Sequence, residues 1–431
     1  MRRLRIIPAL VFTVSALAQI SPQEQRAHLA SFELVWTTAR DHNPDPDMNG
    51  LDWQAIHDAF KSRIAGAKSA TEVRGILREM ILKLGVSHYA IIPADLYAAM
   101  GDSVPNADST SGIEAVIVDG KAVVKTVAPD SPAARAGIQP GMLLDGIDGS
   151  QVSPLLDFAN TLSDTESRRL AARALTRKLL GPADTPVKLD LVDAGGRKKH
   201  VELDRTEPKG TLVGFGNLPK IRLEFEARTL PGVKGKSGVG YIRFNEFLDP
   251  VTLMPRFDAA LREFAHAPGV VLDLRGNPGG IGIMAMGIAG YFIDDSGRQL
   301  GQMKMRAASL GVTTLKFTVF PRAETYPGRV ALLLDEGSAS TSEILAQGLQ
   351  DLKRARIFGT RSAGAALPSD IIRLPDGDGF QYPTASYTSA GGRVLEGNGV
   401  IPDVEVNLSR EAIAAGRDPV IDAAVQWITQ P

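Results

Sequence analysis

The chain contains no cysteine. That absence removes disulfide staples, thiolate nucleophiles and Cys-based zinc sites together, and with them a lipid-modified amino-terminal cysteine. Charge of one sign is also lacking: 48 Lys and Arg against 49 Asp and Glu leave a formal net charge of −1, which gives no basic footprint for nucleic acid. After the amino terminus no window is apolar enough to span a bilayer. Histidine is scarce, with six in 431 residues. No His-Glu-x-x-His zinc pattern, phosphate loop or dinucleotide fingerprint followed by a suitable acid occurs, so neither metal nor organic cofactor is expected.

What is present begins with Met1-Arg2-Arg3-Leu4-Arg5, followed by an apolar run from Ile6 to Ala18 that ends Ala16-Leu17-Ala18. A basic start, a short apolar core and a small-x-small end are the marks of a secretory signal peptide, here residues 1–18. The mature chain is therefore expected to be periplasmic or secreted, with no membrane span once the signal is cut. Its lack of cysteine fits a bacterial periplasm better than a eukaryotic secretory route.

Three zones follow, enough chain for two or three domains with real cores. From 19 to 95 the pattern is helical, with apolar residues recurring at three and four: Phe32 and Val35, then Trp53, Ile56, Phe60 and Ile64, then Val73, Ile76, Leu77 and Met80. Asn43-Pro44-Asp45-Pro46 breaks the first helix from the second. From 108 to 207 short β-rich runs appear, among them Ile113 to Val118, Ala122 to Val127 and Val187 to Val192. From 212 to 431 strands alternate with helices, an α/β pattern, with buried strands at Val270 to Leu274 and Val330 to Leu334.

The second of these strands runs into Gly337-Ser338-Ala339-Ser340-Thr341-Ser342-Glu343 and a helix from Glu343 to Leu352. A hydroxyl on the first turn of a helix gains from the local N–H groups and the helix dipole, both of which favour a developing oxyanion. The same position suits an ordinary Ser or Thr cap. The remaining patterns decide between the two.

The stretch Ala128-Pro129-Asp130-Ser131-Pro132 through Gly141-Met142-Leu143-Leu144 resembles PDZ domains of the circularly arranged bacterial type. That resemblance implies strand addition of an extended carboxyl-terminal peptide, with Gly112, Ile113 and Glu114, after Ser111, forming the nest for its carboxylate. Gly240-Tyr241-Ile242-Arg243, Val271 to Gly280, the serine cluster, Gln350 to Ala355 and Gly397 to Asp403 together resemble the carboxyl-terminal processing (tail-specific) serine peptidases and the tricorn protease core. The resemblance implies a ClpP/crotonase-like α/β catalytic core, an amino-terminal helical region and an inserted β-rich PDZ domain. It also implies Ser340 as nucleophile, with Ser338 and Ser342 as competing positions. The oxyanion hole would take the N–H of Thr341 and that of Gly279 or Gly280, where only glycine lets the backbone approach a substrate carbonyl so closely.

One departure matters. The processing peptidases pair their serine with a lysine base beyond a Phe-Gly pair; here the corresponding position after Phe358-Gly359 is Ala365. Arg361 cannot act instead, because its guanidinium stays protonated. The tricorn branch uses histidine and glutamate, and His88, in Gly85-Val86-Ser87-His88-Tyr89, matches that histidine in position. His28, His42 and His57 are expected on or near exposed helix faces, His200 at a strand end and His266 at a helix end. Glu396 matches the tricorn-type glutamate, with Asp403 as competitor; Asp351 is expected to support structure. The expected function is an exported serine endopeptidase working through an acyl-enzyme, its PDZ domain capturing the carboxyl termini of protein or peptide substrates. The alternatives are a non-catalytic protein binding peptides or apolar ligands on the same scaffold, and a hydrolase of small esters or short peptides.

Overall fold

Local signals start each element of the amino-terminal zone. Ser21 opens α1 (Pro22–His42) with a reciprocal capping box: its Oγ accepts from Glu24 N and its N–H donates to Glu24 Oε2. Asp52 and Ser69 cap α2 (Trp53–Gly66) and α3 (Ala70–Leu82), contributions of about 1 kcal/mol each. Phe32, Val35, Phe60, Ile64, Leu77 and Met80 are buried between the three helices. The computed structural model describes residues 20–430 except 95–96, 98–108, 162–164, 215–220, 233–236 and 308–310; the expected signal peptide lies outside the described residues.

The histidine expectation for this zone is corrected. His28 is buried, with Nδ1 2.9 Å from Asp376 Oδ2, and His57 lies against Phe32 and Trp36 while bonding Glu33 and Asp58. Helical periodicity could not show the partnership of His28 with Asp376, which lies 348 positions away in the chain.

A short strand, β1 (Ala90–Ile92), leads out of this zone. Residues 109–206 then form an antiparallel sheet from β2 (Ile113–Val118), β3 (Lys121–Val127), β4 (Leu143–Ile147), β5 (Ser150–Gln151), β6 (Pro186–Val192) and β7 (Lys198–Asp204), with β2 at one edge and β5 pairing only with β4. Three helices accompany it: α4 (Pro132–Arg135), capped by Ser131, α5 (Ser153–Thr161) and α6 (Thr165–Leu179). Leu175 and Leu179 of α6 join Val124, Leu144 and Leu189 in a separate core.

After the small pair β8 (Thr211–Val213) and β9 (Ile221–Leu223) comes the main sheet. Its order is β10 (Phe225–Leu230), β11 (Val239–Phe244), β12 (Gly269–Asp273), β15 (Arg329–Leu334), β16 (Ala355–Gly359) and β20 (Val404–Glu405). All neighbours are parallel except β10 and β11. Every residue of β12 is buried, as a parallel strand covered on both faces requires. The period of two splits the sheet's side chains: Val270, Leu272, Val330, Leu332 and Leu334 pack toward α7 (Pro250–Glu263), α8 (Ile283–Ala289) and α9 (Thr341–Asp351). Val271, Ala331 and Leu333 pack toward Ala424 and Ile428 of α11 (Pro419–Thr429); α10 (Arg410–Ala414) precedes that helix.

Two further sheets complete the fold. One joins β13 (Gln299–Ala307), β14 (Gly311–Thr318) and β19 (Ala385–Ser389). The other places β18 (Gly379–Pro383) between β17 (Ser369–Arg373) and β1, with Ile91 opposite Phe380. That pairing fastens the amino-terminal helical region to the core.

Candidate active site

Loops at the carboxyl ends of parallel strands are where open α/β sheets place their chemistry, and β12, β15 and β16 all deliver loops to one place. Asp335, just past β15, accepts from Gly276 N at 2.7 Å and Gly337 N at 2.9 Å. Ser338 Oγ donates to Leu274 O, and Ser342 Oγ to Asn277 O. Both hydroxyls are buried and committed to holding the loops together. Ser340, between them, is half-buried. It sits at φ 54°, ψ −116°, a backbone geometry that costs a non-glycine residue about 1–3 kcal/mol and recurs at functional turns.

Several contacts over-determine that geometry. Ser340 N–H lies 2.9 Å from both Ala365 O and Glu343 Oε2. Glu343, fully buried, also accepts from Ser362 Oγ, Gly364 N and Ala365 N. Burial pushes its carboxyl up to about 7 against the lowering effect of those four donors. The loop that carries the base lysine in the processing peptidases is thus tied to the serine by its backbone. Ala365 is itself buried against Ala339 and Ala363.

The glycine loop closes over the same point. Gly279 and Gly280 have φ of 99° and 135°. A Cβ on Gly279 would stand 2.7 Å from Ser340 Cβ and 2.8 Å from Thr341 N; one on Gly280 would stand 2.3 Å from Phe247 O. No side chain fits at either position. Gly279 N–H donates to Asn277 Oδ1, and Thr341 Oγ1 donates to Gly280 O. Thr341 is the first residue of α9, two positions earlier than the periodicity suggested, so its N–H belongs to the orphan donors of that helix's first turn.

His88, the other residue on which the sequence reading depends, lies in the loop between α3 and β1 with φ 66°. Its Nδ1 is 2.6 Å from Ser87 Oγ, which donates to Glu396 Oε2 at 2.9 Å; Ser87 N donates to Glu396 Oε1 at 2.6 Å. Glu396 Oε2 also accepts from Ala366 N at 3.1 Å. Ser340, Ala365–Ala366, Glu396 and Ser87–His88 are therefore linked in one continuous run. With the Ser87 hydroxyl donating to Glu396, the Ser87 oxygen can receive a proton from Nδ1, the tautomer that puts the basic nitrogen at Nε2. Sequence reasoning missed Ser87; the available signal was a hydroxyl directly before the histidine. Asp403 accepts from Ile357 N, and Asp351 from Ser389 Oγ and Gly391 N, both structural roles.

Glu246 precedes the Phe247 that clamps the glycine loop. Burial pushes it up to about 7, with Arg173 of α6 opposing. The folded state thus holds this proton more tightly than the unfolded chain. Its stabilising contribution is complete below the ordinary glutamate value and is lost as pH rises through about 7. The thermal midpoint should decline over that range, and Glu246→Gln should flatten the decline. An unchanged slope in a thermal melt series from pH 4.5 to 7.5 would refute the assignment.

The residues expected to capture a peptide lie elsewhere, at the β2 edge. Gly112 N donates to Thr110 Oγ1, and Ile113 is buried. Ser111 Oγ is buried without a hydrogen-bond partner. Glu114 faces Lys125 at 3.0 Å and Arg243 of β11 at 3.6 Å. Burial would raise its carboxyl, but those two cations hold it down at about 2. Among the described residues no cluster of His, Asp and Glu could hold a metal ion, and no helix is long and apolar enough to cross a membrane.

Comparison with known proteins matches two stretches of the chain to family models. Residues 238–406 match peptidase family S41, and residues 25–82 match the tricorn protease C1 domain. The chain is 28% identical over 349 residues to a carboxy-terminal-processing protease of Bartonella bacilliformis, spanning 78% of this chain and 69% of that one. It is 26% identical over 441 residues to a carboxyl-terminal-processing protease of Synechocystis, spanning 98% and 91%. Among solved structures, the photosystem II D1 C-terminal processing protease superposes with a TM-score of 0.58 at 22% identity, over 90% of this chain and 97% of that one. At that identity the likeness is one of fold.

Proposed function

Because the chain belongs to peptidase family S41 and is a serine peptidase, we propose that it is an exported endopeptidase in which His88 replaces the lysine base of the processing enzymes. The run from Glu396 through Ser87 to His88, tied to Ser340 by the backbone of Ala365 and Ala366, is the observation that carries this reading. His88 Nε2 takes the proton of Ser340 Oγ, which attacks a peptide carbonyl. Thr341 N–H holds the oxyanion together with Gly280 N–H, since that of Gly279 is spent on Asn277. His88 then gives its proton to the leaving amine, and water attacks the acyl-enzyme by the same route in reverse. Ser87 relays between the imidazole and the carboxylate, holding the tautomer and spreading the charge of the imidazolium toward Glu396.

The unit of residues 108–207 serves as a PDZ domain for substrate carboxyl termini. The place of β2 at the end of its sheet and the buried Ser111 hydroxyl, without a hydrogen-bond partner beside Gly112, support that reading. Export rests on the signal peptide expected at residues 1–18.

A fluorophosphonate probe tests the core of the proposal. The label should be found on the peptide containing Ser340, and Ser87→Ala should slow labelling about 10- to 100-fold, at the lower end of what a general base contributes. Label on another residue, or an undiminished rate in Ser87→Ala, would contradict the relay.

A further inference from the structure

The base hangs on a loop. Residues 83–89 connect α3 to β1 with two backbone angles in the left-handed region, at Gly85 and His88, and such a segment holds a side chain only as well as its ends are anchored. Glu396 grips it at Ser87. A second core carboxylate grips it on both flanks. Asp378, at the end of the turn joining β17 to β18, accepts Arg74 Nε at 2.7 Å and Arg74 Nη2 at 2.8 Å, a two-pronged contact from α3. The same carboxylate accepts Ala94 N at 2.8 Å, two residues past β1. Arg74 and Ala94 bracket His88 in the chain, and Asp378 is 3% exposed.

The turn itself is braced. Asp378 N donates to Asp376 Oδ1, Asp376 N donates to Ser31 Oγ, and Asp376 Oδ2 meets His28 Nδ1 on α1. Asp378 thus sits where the helix before the base, the strand after it and the core hairpin converge. A merely structural ion pair would join two elements; this carboxylate ties together the helix that leads into the loop, the chain beyond the strand that follows it and the core hairpin.

We propose that Asp378, through Arg74 and Ala94, is a positioning residue that sets His88 against Ser340. The proposal rests on the reading of His88 as base. A shift of about 1 Å at the imidazole is enough to lower the rate of proton transfer about 100-fold, so the effect falls on the chemical step rather than on substrate affinity.

The test uses the full-length protein, fluorophosphonate labelling and histidine-selective ¹⁵N NMR, with the His88 signals assigned by their loss in His88→Gln. In Asp378→Asn the maximal labelling rate should fall about 10- to 100-fold while the half-saturating probe concentration stays within about two-fold. The His88 Nδ1 signal, set by its bond to Ser87, should move while that of His200 stays in place. Arg74→Lys keeps the charge but loses the fork, and should give a smaller change of the same kind in a chain with less risk of misfolding. An unmoved His88 signal, an unchanged maximal rate in both variants, or a fall that merely tracks the folded fraction would overturn the proposal. If His88→Gln itself labels at the normal rate, the base assignment fails instead, which separates the two readings.

Discussion

Replacing His88 by alanine should lower kcat for peptide or ester hydrolysis about 10⁴- to 10⁶-fold, the range found when one member of a triad is removed. Ser340 then keeps its strained backbone, its bond to Ala365 and its place at the head of α9. On the proposed mechanism it loses only the group that would remove its proton. What remains is the catalysis of the oxyanion donors and of binding. KM stays within a few-fold, because the imidazole touches the substrate only as the leaving group departs. The pH profile supplies an independent check. A histidine base must be neutral to work, so wild-type activity should fall on the acid side as the imidazole takes up a proton. In His88→Ala the residual activity should lack that acid limb. A variant retaining a tenth of wild-type kcat, or an unaltered acid limb, would mean that another group is the base.

Placing alanine at Gly280 should cost about 10²- to 10³-fold in kcat, the usual consequence of losing one oxyanion donor. The added Cβ would lie 2.3 Å from Phe247 O, at a φ of 135° that no L side chain adopts comfortably. The loop must move to relieve both, and its N–H moves with it. Phe247 N–H donates to Gly279 O and Ile281 N–H to Phe247 O, so the displacement reaches the two bonds that clamp the loop to the end of β11. Circular dichroism and the thermal midpoint should show a folded protein of lower stability. Kinetics at a temperature well below that midpoint isolate the catalytic loss. Activity within about three-fold of wild type would remove Gly280 from the oxyanion site.

Much of this was legible in the sequence, for identifiable reasons. The apolar runs of β12 and β15 announce strands buried on both faces, because the period of the side chains is short and the residues are contiguous. The paired glycines beside Asn277 read as a close backbone approach because no other residue permits one. His88 and Glu396 stood out only through a resemblance to the tricorn branch, prompted by alanine at 365. The bridge between them did not stand out: Ser87 is a common residue whose role exists only once Glu396, 309 positions later, is folded against it. The same blindness hid the burial of His28. Helical periodicity placed it near the outside, and the core hairpin that covers it belongs to another part of the chain. The helix expected from Glu343 starts two residues earlier, at Thr341, and the Glu343 carboxylate in its first turn points inward to hold the serine and the following loop.

The parts that the proposed mechanism uses are spread along the polypeptide: the imidazole comes early, its carboxylate support late, and the hydroxyl between them. A chain threaded through a membrane, or still emerging from a ribosome, carries each part without the others. On the proposed mechanism the site is complete only once the segment around Glu396 has folded against Ser87.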